Sequence, residues 1–393
     1  MTTTQQGILL LIRSAITGEK LALPEGFSLE EADAIVSRQA LMLLAYQGAF
    51  SCGLPRNHPV IMRWLEGYYH GLMKNEHQSI VLVQVFSAFE ANGIDYLPVK
   101  GCVLKKYYPK PEMRIMGDAD ILIRQEQYEK IRSVMENMGF QEAERSDYDV
   151  HWRCNQMLIE LHRKLFAENQ KDLRRHFADG WSRAVHSSGS RYDFSDEDGF
   201  VYIFAHMVKH FRLCGIGARQ ILDLWVYRRA KPDMNEAEIE AIMERIHMLE
   251  FYRNIRRLLA VWFEGAQTDP VTDLITDYVF SGGNFGAIGV QMESEALLEA
   301  KAQGGVKNSK GKSWWNVIFP PMYKMRMSYN ILYEHPWLYP FCWVARCFDV
   351  LLHRRKNIRI RMETLKNMSD ETILARQKLL NDMGLDFYYD DEA

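Results

Sequence analysis

An α+β fold is predicted by three features of the 393-residue sequence. The first ~75 residues follow a helical period. Between about residues 76 and 165, short apolar runs alternate with helical stretches. Beyond the turn-rich Ser187-Ser188-Gly189-Ser190 the helical period returns. The chain is 47% apolar and 25% charged, which supports a large buried core and excludes global disorder.

Each element has a local reason. Ser28 followed by Glu31 marks a helix start. Pro55 and Pro59 break the pattern, and a long helix then runs from about Val60 towards Glu90. Asn92-Gly93 ends it, because glycine takes the left-handed C-terminal conformation readily. Ile94 to Val99 reads as a first strand, followed by Lys100-Gly101 and a helix carrying Val103, Leu104 and Tyr107. Pro109 and Pro111 stop that helix. Asp120 to Ile123 reads as a second strand and Gln125 to Met138 as a helix closed by Gly139. Alternation over Tyr148 to Arg153 and Met157 to His162 predicts two more strands. Phe200 to Leu213 and Ala218 to Arg229 are helical, as is a segment from about Asn235. Residues 304–312 read as a loop.

The net charge of −3 hides an asymmetry. From Lys307 to Lys366 there are twelve Lys/Arg and three Asp/Glu, or +9, so the remainder sums to −12. Trp314, Trp315, Tyr323, Tyr329, Tyr333, Trp337, Tyr339 and Trp343 lie among these charges. Such a segment suits single-stranded nucleic acid, an anionic lipid surface, or a packed helical interface. The six cysteines form no C-x-x-C pair, which argues against a zinc ribbon or redox dithiol and for small apolar side chains in a reducing compartment. No signal-peptide pattern and no run of about 20 apolar residues occurs, so a cytoplasmic protein without a transmembrane segment is expected.

The chemistry concentrates around Asp118 and Asp120. Two residues apart at a strand start, they share one face, about 7 Å apart. Carboxylates there are costly unless paired or bound to a cation. Glu160 lies on a predicted strand with Leu158 and His162 on the same face. If that strand lies beside the second one, three carboxylates converge. Lys100-Gly101 at a helix start suits phosphate: glycine admits it to the backbone and lysine adds a point charge. Arg114 can neutralise phosphate or pair with an acid. Together these describe a two-metal phosphoryl-transfer site, with ions about 3.5–4 Å apart. Asp118 and Asp120 would bind both ions, and Glu160 the one on the nucleophile side.

Val99-Lys100-Gly101, Tyr108-Pro109 and Arg114-Ile115-Met116-Gly117-Asp118-Ala119-Asp120-Ile121-Leu122-Ile123 resemble a largely uncharacterised bacterial nucleotidyltransferase family of the DNA polymerase beta superfamily. Ile159-Glu160-Leu161-His162 is similar to its third-acid strand, and His206-x-x-Lys209-His210 with Arg219-x-x-x-Asp223-Leu224 to its helical signature. Phe319-Pro320-Pro321, Pro336 to Pro340 and Arg346 resemble its C-terminal segment. The likeness covers most of residues 85–350, and the first ~75 residues match no known pattern. Lys-Gly stands where the wider superfamily has Gly-Ser, as it does in AbiEii-type toxin nucleotidyltransferases.

The resemblance implies a polymerase-beta-like α/β core with helical regions on both sides: 1–75 helical, 76–190 core, 191–300 helical, 301–393 basic and aromatic. It implies a Mg²⁺-dependent enzyme, with two ions and Mn²⁺ as a substitute. The enzyme would move NMP from an NTP to an acceptor hydroxyl and release pyrophosphate. Asp118, Asp120 and Glu160 would be catalytic and metal-binding. Lys100, Gly101, Arg114, His206, Lys209, His210 and Arg219 would hold the nucleotide. His206 and His210, four apart, share a helix face, which packed histidines also do. Asp223 is expected to pair with Arg219 along the helix. His162 reads as a supporting group, an acceptor-side base or a half-buried strand histidine. The acceptor can be a small molecule, a glycan, a protein or RNA. A tRNA-modifying toxin of the same chemistry and a non-catalytic nucleotide-binding scaffold are the alternatives.

Overall fold

The computed structural model describes residues 1–146, 148–167 and 170–283, and beyond them 290–294, 297, 315, 319–329, 331–353, 363 and 369–385. Four helices come first: α1 (Thr3–Thr17), α2 (Leu29–Arg38), α3 (Met42–Ser51) and α4 (Pro59–Ala91). The Ser28 side chain accepts from the Glu31 N–H at the start of α2, the expected cap. Helix α4 is 33 residues long and ends at Asn92, with Gly93 at φ 56°.

Seven strands then form one sheet: β1 (Tyr96–Pro98), β2 (Ala119–Ile123), β3 (Gln141–Arg145), β4 (Asp149–Cys154), β5 (Met157–His162), β6 (Val185–Ser188) and β7 (Arg191–Asp193). Their spatial order is β3-β4-β5-β2-β1-β7-β6. Strand β2 is antiparallel to β1 and parallel to β5, and β5 is antiparallel to β4. The first strand is shorter than the sequence suggests. The helix expected after Lys100 is a single turn, α5 (Gly101–Leu104), tightened into a 3₁₀ turn over Lys105–Tyr107. Helix α6 (Tyr128–Asn137) closes with Gly139 at φ 82°, and the short α7 (Lys171–Phe177) follows β5.

The two faces of the sheet differ. Ala119, Ile121, Ile123, Val150, Trp152, Ile159 and Leu161 are fully buried with Val85 and Phe89 of α4 and Ile131 and Met135 of α6. At the alternate positions β2, β5 and β4 carry Asp120, Glu160, His162, His151 and Asp149, which face a cavity roofed by α8 (Asp196–Leu213) and α9 (Ala218–Ala230).

Three sequence divisions shift. The break at Ser187 to Ser190 is the turn of the β6–β7 hairpin, and β7 pairs in parallel with β1, so a boundary after residue 190 cuts the sheet. The N-terminal helices share one apolar core with the helices after β7. Gln39 shows why: its amide donates to the carbonyls of Val279 and Gly282 and accepts from the Ala218 N–H. The aromatic C-terminal segment divides. Tyr329, Tyr339 and Trp343 pack on Met325, Leu332 and Cys342, whereas Trp315 and Trp337 are exposed. The predicted loop at 304–312 and Trp314 lie outside the described residues, as does the Tyr323 side chain. Among the described residues no helix is long and apolar enough to cross a membrane.

Candidate active site

Register builds the site. Asp120 on β2 stands opposite Glu160 on β5, and Glu160 stands opposite His151 on β4. His162 stands opposite Asp149 in the next same-face row. Asp118, one residue before β2, is half-buried and lines the same cavity, where its charge acts on Glu160. The strands therefore bring Asp118, Asp120 and Glu160 together.

The carboxylates are not equivalent. Asp120 is 2% exposed. Burial works against its charge, but Lys100 and His162 outweigh it and hold its carboxyl well below the usual range. Lys100 Nζ lies 2.5 Å from Asp120 Oδ1, and His162 Nε2 lies 2.8 Å from the same oxygen. Glu160 has the opposite fate: burial, then the charges of Asp120 and Asp118, push it up to about 9. Without a cation, the cluster keeps one carboxyl protonated. An array of three carboxyl groups that must hold a proton to coexist fits a hard divalent cation bound through oxygen.

Lys100 departs from the sequence reading. It is not a free phosphate-seeking charge, because its side chain is 15% exposed and paired with Asp120. Its backbone sits at φ 48° and ψ −119°, an unusual conformation for a residue with a Cβ. Gly101 follows for steric reasons: a Cβ there would lie 2.7 Å from Met116 Sδ and 3.2 Å from Arg114 Nη1. With α5 only one turn long, little helix dipole is available for phosphate.

The partner of Asp223 also differs. Asp223 does not pair with Arg219 along α9. It takes a two-pronged pair from Arg114, Nε to Oδ1 at 3.2 Å and Nη2 to Oδ2 at 2.8 Å, and a hydrogen bond from Tyr108 Oη at 2.7 Å. Among the described residues, Arg219 has one hydrogen bond, from Nη1 to the Ile115 carbonyl, and a buried Nε without a partner. Burial and the neighbouring Arg114 lower it to about 10. Lys209 is similar. It has no ion-pair partner among the described residues, its Nζ sits 5.2 Å from the Tyr148 ring centre, and burial lowers it to about 8. His206 and His210 touch through their Nε2 atoms at 3.0 Å. Burial holds both neutral, His206 far below its usual range and His210 at about 3. His162 is 3% exposed, more buried than a half-covered strand histidine.

All ten residues singled out from the sequence line one cavity of about 420 Å³: Lys100, Gly101, Arg114, Asp118, Asp120, Glu160, His206, Lys209, His210 and Arg219. That volume suits a nucleotide-sized ligand. Tyr148, Asp149, His151 and Gln220 line it as well and were missed. The available signal was Asp149-x-His151 on a strand next to Glu160-x-His162, two acid–histidine pairs in antiparallel register. A larger groove of about 600 Å³ between α9, α10 (Glu236–Arg245) and α11 (Leu249–Leu259) is lined by five arginines, but four of them pair with Glu236, Glu240 or Asp269. It presents no comparable array of reactive groups.

A family model described as an uncharacterised nucleotidyltransferase matches residues 25–264. The match begins inside the N-terminal helices, earlier than the sequence motifs suggested, and stops before the C-terminal segment. No curated protein and no solved structure matches the chain at a significant level.

Proposed function

The chain belongs to the uncharacterised nucleotidyltransferase family, and from that premise we infer a Mg²⁺-dependent enzyme with a polymerase-beta-like core that transfers NMP from an NTP to an acceptor hydroxyl. One observation carries this reading: Asp120 and Glu160 are direct neighbours across the parallel β2–β5 pair, with Asp118 lining the same cavity.

Asp118, Asp120 and Glu160 would hold the divalent ions, with Mn²⁺ a possible substitute for Mg²⁺. Bound there, such ions neutralise phosphate charge and make an acceptor hydroxyl more acidic. Lys209 and Arg219 suit the triphosphate because they are cavity cations without a carboxylate partner among the described residues. An NTP brings the negative charge their burial lacks. His206 and His210 are neutral, so they serve as hydrogen-bonding groups for base or ribose rather than as cations. Arg114 is committed to Asp223 and positions the loop that leads into Asp118. Glu160, once its proton is displaced, orients the attacking hydroxyl. The six free cysteines are consistent with a reducing cytoplasm.

The test is incubation with each labelled NTP, Mg²⁺ and a cell lysate, for wild type and for Asp118→Asn and Asp120→Asn. Label should move to an acceptor in wild type and fall by at least about a thousandfold in both variants. Full transfer by either variant, folded by circular dichroism, would sink the assignment.

A further inference from the structure

Glu160 has two oxygens, and the structure uses them differently. Oε2 faces His162 at 3.6 Å, on the side of Asp120. Oε1 faces His151 Nε2 at 3.5 Å, on the side of β4. His151 Nε2 also lies 3.6 Å from Asp149 Oδ2. One donor atom from each of Asp149, His151 and Glu160 therefore falls within 4.8 Å of the others.

These separations are informative. They exceed the 2.7–3.2 Å of an N–H···O hydrogen bond. Ligands about 2.1 Å from a tetrahedral ion lie roughly 3.4 Å apart. The contrast is on the next strand, where His162 Nε2 makes an ordinary 2.8 Å contact with Asp120, whose charge Lys100 already meets.

The groups around the triad are also arranged. Ser146 Oγ donates to Asp149 Oδ1 at 2.5 Å and leaves Oδ2 turned towards His151. Glu144 Oε2 lies 3.8 Å from His151 Nδ1, on the far side of the ring. At that distance it is a charged neighbour of the ring and not a hydrogen-bond acceptor. The His151 side chain is 20% exposed at the cavity, which leaves room for water or substrate as further ligands.

We propose that Asp149, His151 and Glu160 form a second cation site, distinct from the Asp118–Asp120 side, that takes a first-row transition ion such as Mn²⁺ or Zn²⁺. One imidazole nitrogen with two carboxylate oxygens suits those ions, whereas Mg²⁺ prefers oxygen alone. Glu160 is the shared ligand. The site borrows that residue from the proposed catalytic set, but it stands whether or not the set is catalytic.

The experiment uses the full chain, stripped with a chelator and titrated with Mn²⁺ in excess Mg²⁺. Bound Mn²⁺ is followed by electron paramagnetic resonance. Wild type should retain one Mn²⁺ against Mg²⁺, with a ¹⁴N coupling from imidazole in its pulsed spectrum. His151→Gln should lose the coupling and bind at least about tenfold more weakly, as should Asp149→Asn. Asp118→Asn should keep the coupled ion. No Mg²⁺-resistant Mn²⁺ in wild type, or no nitrogen coupling, overturns the proposal without needing a variant. Retention of the coupling in folded His151→Gln also overturns it. If Asp118→Asn keeps NMP transfer, the catalytic reading fails while this site is unaffected. If it loses transfer and the Mn²⁺ signal persists, both stand.

Discussion

Lys100 Nζ and Asp120 Oδ1 lie 2.5 Å apart, with side chains 15% and 3% exposed. Removing one member of a buried ion pair costs about 3–5 kcal/mol, because the other charge stays uncompensated. Lys100→Met should therefore destabilise the metal-free protein by about that amount in urea unfolding. A divalent ion on Asp120 would replace the lost charge, so Mg²⁺ should restore more stability to Lys100→Met than it adds to wild type. Equal Mg²⁺ stabilisation of both would show that Asp120 is not an ion ligand.

Lys209 is a charge kept in the cavity at a cost. Burial lowers it from the ordinary 10.5 to about 8. Below pH 8 both folded and unfolded chains hold the proton, and the folded chain bears the full penalty, about 3 kcal/mol. Between about pH 8 and 10.5 only the unfolded chain holds it, so wild-type stability from this group rises with pH. Lys209→Met should be more stable than wild type at pH 7, by about 1–3 kcal/mol, and the gap should close towards pH 10.5. The same variant should bind NTP more weakly. Wild-type NTP affinity should itself decline above about pH 8, as the ammonium loses its proton. Chemical denaturation and nucleotide titration across this range check both trends.

Arg114, Tyr108 and Asp223 act as a unit because Arg114 Nε and Tyr108 Oη share Asp223 Oδ1. Asp223→Asn should lower stability by about 3 kcal/mol and Tyr108→Phe by about 1 kcal/mol. The double variant should lose measurably less than the sum. Strict additivity in the double-mutant cycle would mean that the two contacts are independent.

Gly101→Ala would drive a Cβ to 2.7 Å from Met116 Sδ. Arg114 Nη1, which would lie 3.2 Å from it, is held by Asp223. Met116 must then move towards the cavity it lines. The expected result is a loss of about 1–3 kcal/mol in stability and a raised Kd for NTP. Met116→Ala in the same background should recover part of both.

The sequence carried the acids well and the long-range contacts poorly. Asp118, Asp120 and Glu160 were legible because a charge stands out within or beside an apolar strand: Asp118 leads into β2, Asp120 lies on it and Glu160 on β5. Ser28 and Gly93 were legible because caps depend on a few neighbouring residues. Asp149 and His151 were not, since a polar–apolar alternation is what any half-exposed strand shows. The Arg114–Asp223 pair spans 109 positions, and α9 offered Arg219 as a nearer, incorrect partner. Gln39 anchors the first helices on residues more than 170 positions away, a contact with no local signature. The β6–β7 hairpin read as a turn-rich break because its turn is rich in serine and glycine, and its strands are only four and three residues long.

The pairing of β2, β5 and β4 has a consequence for how this protein tolerates change. Side chains alternate, so sliding β5 by a single residue would exchange Glu160 for Ile159 or Leu161 within the cavity. No intermediate alignment exists. Competence is therefore all-or-none with respect to strand position, and what enforces it lies on the reverse of the sheet, in Ile121, Ile159, Leu161 and Trp152. Those residues line no part of the cavity, yet they fix which face Glu160 meets. Volume-conserving changes among apolar side chains there are tolerated so long as the alternation survives, and a single inversion of it would silence the site at one step.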